Sequence, residues 1–182
     1  MRILNCITDF NHYFSAQTLH PQVAVAELFR ADFSLFDTKV YDMYALIMID
    51  GVFGELIRDG KPLPYTKGSL VTIRPGQSIE MKMDYTTKPQ GWMLAFKPEL
   101  LEKTGLGRDF YMFSYFNSDY SEAIRLTDME YGVIKNCFAN LYAELNTPKD
   151  HLSGQMIRLG IGTLLSYVKR YFEKQHTTSV LR

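Results

Sequence analysis

The sequence predicts an α+β fold, an all-β unit followed by a helical region, and two observations lead there. Between residues 33 and 97, short apolar segments alternate with Gly- and Pro-containing turns at regular spacing. This is the pattern of a closed or sandwiched sheet rather than of βαβ units. Past residue 120 the apolar period lengthens from two to about 3.6, the repeat of amphipathic helices. A chain of 182 residues with 46% hydrophobic content fits one domain with a helical appendage and can bury a proper core. The expected division is 1–120 for the β unit with an N-terminal extension, and 121–182 for the helices.

The first clear strand is Met43–Ile49, nearly continuous in apolar character and closed by Asp50-Gly51. Gly54–Arg58 follows and ends at Asp59-Gly60; both dipeptides are hairpin signals. Ser69–Ile73 lies between Lys67-Gly68 and Pro75-Gly76. The run from Ile79 to Tyr85 alternates strictly, with Ile79, Met81, Met83 and Tyr85 on one face and Glu80, Lys82 and Asp84 on the other, as in a half-buried antiparallel strand. Trp92–Phe96 lies between Gly91 and Pro98. Pro98–Lys103 predicts a short helical turn, with Pro well placed in its first turn and Gly105 and Gly107 beyond it.

Two longer helices come next. Thr127-x-x-Glu130 has capping-box spacing and opens a stretch in which Ile134, Phe138, Leu141 and Leu145 share a face until Asn146-Thr147-Pro148. From Gln155 to about Gln175 the apolar positions are Ile157, Ile161, Leu164, Leu165, Val168 and Phe172. Such a face packs on its own chain by default. It also offers a dimer seam at Leu164, Leu165, Val168 and Phe172, and the two-fold homodimer is the commonest oligomer. Gly160 and Gly162 each cost up to about 1 kcal/mol inside a helix, which predicts close approach of another backbone there.

Composition removes several function classes. Twenty basic and twenty acidic side chains give zero formal net charge. The balance is also local: ten basic and eleven acidic over 1–100, ten and nine over 101–182. No field is available for gripping a polyanion. Cys6 and Cys137 lie far apart, which disfavours a disulfide framework or thiolate zinc site and suits a reducing cytoplasm. No apolar run reaches membrane-spanning or signal-peptide length, so no membrane partner is expected. None of the four histidines, His12, His20, His151 and His176, falls within the strand region, so metal chemistry is not expected. No nucleophile elbow or phosphate loop is present. No catalytic residue and no cofactor is assigned.

The distinctive feature is the large side chains of the strand region. Tyr44, Met48, Met81, Met83, Tyr85 and Trp92 suit either a solid core or a ligand cavity, Met by adaptable shape and Tyr and Trp by an apolar body with a polar tip. Arg74, before Pro75-Gly76, is a possible partner for an anionic group or for a surface carboxylate.

Several motifs resemble one family in order and spacing. Gly68–Gln77 is similar to the strand and Pro-Gly turn of a cupin barrel. Gly91-Trp-Met-Leu-Ala-Phe-Lys-Pro-Glu-Leu-Leu101 resembles a segment of AraC-type transcriptional regulators, as do Phe113–Phe116, Glu122–Glu130, His20-Pro21 and Tyr167–Gln175. The last two are especially similar to the form common in Bacteroides-like bacteria. The resemblance implies a cupin-like antiparallel β-barrel of jelly-roll type that binds a small effector and dimerises, with C-terminal helices leading into a DNA-binding domain. The chain stops where that domain should begin, so the expectation is a truncated piece touching DNA only through the missing part, with a stand-alone sensor as the alternative. Lys97 stands where the family often has His. The alternatives are a metal-free cupin enzyme of isomerase or epimerase type, drawing on Glu55, Asp59, Glu80 and Lys82, and a ligand-free structural dimerisation module.

Overall fold

The computed structural model describes residues 2–31, 39–83, 87–102, 104–117, 120 and 122–180. Among these residues ten strands form: β1 (Arg2–Leu4), β2 (Val23–Glu27), β3 (Lys39–Tyr41), β4 (Tyr44–Ile49), β5 (Gly54–Arg58), β6 (Lys61–Pro62), β7 (Ser69–Ile73), β8 (Ser78–Met83), β9 (Gly91–Phe96) and β10 (Ile124–Arg125). The helices are α1 (Ile7–Tyr13), α2 (Gly105–Arg108), α3 (Asp128–Asn146) and α4 (Ser153–Val180). The fold is α+β, with its long helices at the C-terminal end.

Two five-stranded sheets arise, in the orders β1-β3-β8-β5-β6 and β10-β7-β4-β9-β2. Every neighbouring pair is antiparallel except β1 with β3. Among the described residues the strands stay in these two sheets and close no barrel.

The second sheet is the middle of three layers, as the alternation along β4 shows. Ala45, Ile47 and Ile49 join a core with Leu56 and Ile79 of the first sheet. Leu46 and Met48 join a second core with Ile134 and Phe138 of α3 and Leu164 of α4. A strand covered on both faces reads as unbroken apolar sequence, which explains Met43–Ile49. The helices therefore lie on the outer face of the second sheet. Capping begins α3 as its sequence predicts: Thr127 Oγ1 accepts from the Glu130 N–H at 3.3 Å, and Glu130 Oε2 accepts from the Thr127 N–H at 2.9 Å.

Some local expectations change. Asp59-Gly60 does turn a two-residue hairpin from β5 to β6, with φ of +50° and +75° and Arg58 opposite Lys61. Asp50-Gly51 does not, because β4 pairs with β7 and β9 and the chain crosses to the other sheet. Pro98–Leu100 is a 3-10 turn, and Gly105, instead of lying beyond a helix, opens α2. Gly160 and Gly162 face side chains, not another backbone. A Cβ at Gly160 would lie 2.7 Å from Leu141 Cδ2, and one at Gly162 would lie 3.3 Å from Leu106 Cδ2.

Candidate functional site

The central sheet divides the residues that the sequence groups into one pocket. Met48 and Trp92 sit opposite each other in the β4–β9 register, on the helix side with Tyr44. Met81 lies on the other side, packed against the core between the sheets. Met83 ends β8, its side chain outside the described residues, and Tyr85 lies outside them altogether. The two sides are separated by the thickness of a sheet, so Met81 does not share a cavity with Tyr44, Met48 and Trp92.

On the helix side the rings pack on one another. The Tyr44 ring lies 5.6 Å from Phe96, 4.7 Å from Phe110 and 4.8 Å from Phe116, while Trp92 meets Tyr142 of α3 edge-on at 5.3 Å. Such contacts are worth about 0.5–1.5 kcal/mol each beyond area burial and make a firm joint. Burial raises the Tyr44 hydroxyl pKa, opposed by the positive charge of Arg74. The Arg74 backbone is fixed by Gln77: its N–H donates to Gln77 Oε1 at 3.0 Å.

Lys97, at the end of β9, has a structural partner. Its Nζ donates to the Asp42 carbonyl at 3.0 Å and lies 3.5 Å from the Asp42 carboxylate. His20 is a turn residue whose Nδ1 accepts from the Gln22 N–H at 3.1 Å. Its pKa is lowered by burial and then by the charges of Lys149 and Arg158.

Of the carboxylates and lysine available for acid–base chemistry, Glu55, Asp59 and Lys82 lie exposed at the surface. Glu55 and Lys82 are exposed partners across the β5–β8 pair, and Asp59 sits in the hairpin, accepting from the Ser78 N–H at 2.8 Å and from Gln77 at 3.2 Å. Among the described residues, no three His, Cys, Asp or Glu side chains gather as metal ligands. No helix among them is long and apolar enough to cross a membrane.

The expected dimer seam is occupied by the protomer itself. Leu164, Leu165 and Val168 are fully buried and Phe172 nearly so, all in the core that α4 shares with α3 and the central sheet. Tyr115 reinforces the joint by donating its hydroxyl to the Leu165 carbonyl at 3.0 Å. What stays outside is a different stripe, Leu152 just before α4 and Met156 and Leu159 on it, 46%, 51% and 57% exposed.

Two grooves flank that stripe. One, of about 270 Å³, runs between α3 and α4 beside Cys137, Met156 and Gly160. The other, of about 620 Å³, lies between α4 and the segment Thr104–Leu106; Leu159 and Thr163 line both. Arg158, Gly162, Ser166 and Arg170 line the larger one. These positions fall on the polar side of the helical repeat, so the sequence gives little sign of a groove. The chain matches no protein-family model and no curated protein.

Proposed function

We propose that this chain is the ligand-sensing and dimerisation domain of an AraC-type transcriptional regulator. Its β unit acts as a metal-free, cupin-like jelly-roll sensor for a small effector, and its helices carry the dimer contact. DNA is reached through a separate C-terminal domain, and the protein works in the cytoplasm.

The observation that carries the reading is the joint between sensor and helices. Tyr44, Met48 and Trp92 lie in the core shared by the central sheet, α3 and α4, so a shift of β4 or β9 is felt by the helices directly. A close-packed core transmits such strain because it does not deform freely. An effector then switches the regulator by as much as it prefers one dimer arrangement over another. With Leu164, Leu165, Val168 and Phe172 committed to the protomer core, the seam of this proposal moves to Leu152, just before α4, and Met156 on its outer stripe.

The test is functional. The chain is fused to a DNA-binding domain that represses a reporter only as a dimer. The regulator reading requires repression by the fusion and its loss with Met156→Glu. A fusion that accumulates to normal levels without repressing would contradict it.

A further inference from the structure

We infer that the groove between α4 and Thr104–Leu106 binds a small amphipathic anion, an apolar body bearing a carboxylate or sulfonate. The assignment stands independently of the regulatory role, because it rests only on the shape and charge of the groove.

The volume, about 620 Å³, is that of a small-molecule site. Its floor and walls suit an apolar body: Leu106 on one side, Leu159 on the other, and Gly162 between them, where a Cβ would lie only 3.3 Å from Leu106 Cδ2. Glycine there keeps the floor low.

The charge decides the class of ligand. Arg158 and Arg170 both line the groove, and no Asp or Glu does. Neither guanidinium belongs to an ion pair among the described residues, whereas Arg30, Arg125, Lys97, Lys169 and Lys174 each have a carboxylate. Arg170 is laid instead over the Tyr167 ring, 5.5 Å from its centre. In a chain of zero formal net charge, this groove is a local concentration of positive charge with no internal counter-ion. Twelve residues of helix separate the two arginines by roughly 18 Å. An extended apolar chain with its head group at either guanidinium fits between them. A guanidinium holds a carboxylate or sulfonate through two parallel N–H donors, which an uncharged head group cannot match. Two of the hydroxyls that line the groove are already used: Ser166 donates to the Gly162 carbonyl at 2.8 Å and Thr104 to the Leu101 carbonyl at 2.6 Å. The two guanidiniums supply the charge that selects an anionic head group over a neutral one.

Calorimetric titration of the purified chain with decanoate, and with decanol as the uncharged control, tests this. Decanoate binds saturably at concentrations up to about 0.2 mM, and decanol binds about tenfold more weakly or less. The double variant Arg158→Gln/Arg170→Gln loses that preference, and Ser166→Trp, which fills the groove from an exposed position, blocks both ligands. Thermal melts that overlay with wild type show that the variants fold, and the charge pair alone carries the test if Ser166→Trp does not. Absence of decanoate binding, equal affinity for decanol, or an anion preference that survives the double variant would overturn the assignment. So would a dimer in sedimentation that Ser166→Trp breaks and decanoate leaves unchanged, because a second copy would then occupy the groove.

Discussion

Gly91 has little freedom at the edge of the central sheet's β4–β9 pair. Its φ is +137°, and a Cβ would lie 1.9 Å from the Met48 carbonyl oxygen, which is backbone and cannot step aside. Gly91→Ala combines backbone strain with overpacking and should cost about 3 kcal/mol, measured by urea denaturation. Glu130 is tuned electrostatically. Burial alone would raise its pKa, but Lys174, which donates to Oε1 at 2.8 Å, and the Thr127 backbone and hydroxyl hold it below its ordinary 4.5. A carboxyl with a lowered folded pKa contributes stability above its unfolded value and loses it as pH falls through the folded one. Wild type should therefore lose stability more steeply below about pH 4.5 than Glu130→Gln, most clearly at low salt because Lys174 is 66% exposed. Thermal melts from pH 6 to pH 3 check this. At this scale the sequence exposes little. Gly91 shows as strand punctuation, but its contact with Met48 belongs to β-pairing between residues far apart in the chain.

Elements were legible in proportion to the regularity of their pattern. β5 and β7 form at their predicted bounds, and α3 starts and stops where its cap and Pro148 indicate. Thr127→Ala should lower stability by about 1 kcal/mol by removing one half of the capping box, as denaturant titration would report. Several elements leave little pattern in the sequence, three of them for clear physical reasons. α1 is seven residues long and buries Ile7, Phe10 and Tyr13 in the core between the sheets, too short for a helical period to stand out. β2, Val23–Glu27, is apolar on both sides because it edges the middle layer. β10 is two residues long and made by pairing with β7 alone. The four α4 residues assigned to a seam bear on stability instead. Leu164→Ala should cost about 3 kcal/mol by leaving a cavity under α4, lowering the melting temperature at every protein concentration. A purely interfacial residue would show that loss only in dilute solution.

The whole molecule is three layers, and layering is what the sequence conceals most. When one sheet is covered on both sides, inward and outward positions are both apolar. Ile47 and Met48 then look alike although they face different cores. Candidate ligand residues could accordingly be gathered by type but not sorted by face, and Met81 parted from Tyr44, Met48 and Trp92. The helical face suffers the same ambiguity, since periodicity shows that Leu164 and Phe172 share a stripe without saying which surface it meets. Only the packing, with Leu152 and Met156 left outside, separates the protomer core from a surface free to meet a second copy. Sedimentation equilibrium of wild type and Met156→Glu is the most direct measure of the sensor-and-dimer account. A wild-type dimer that becomes a monomer with an unchanged fold in the variant is the predicted result. A wild type that remains monomeric at high concentration, or a dimer indifferent to Met156→Glu, would contradict it.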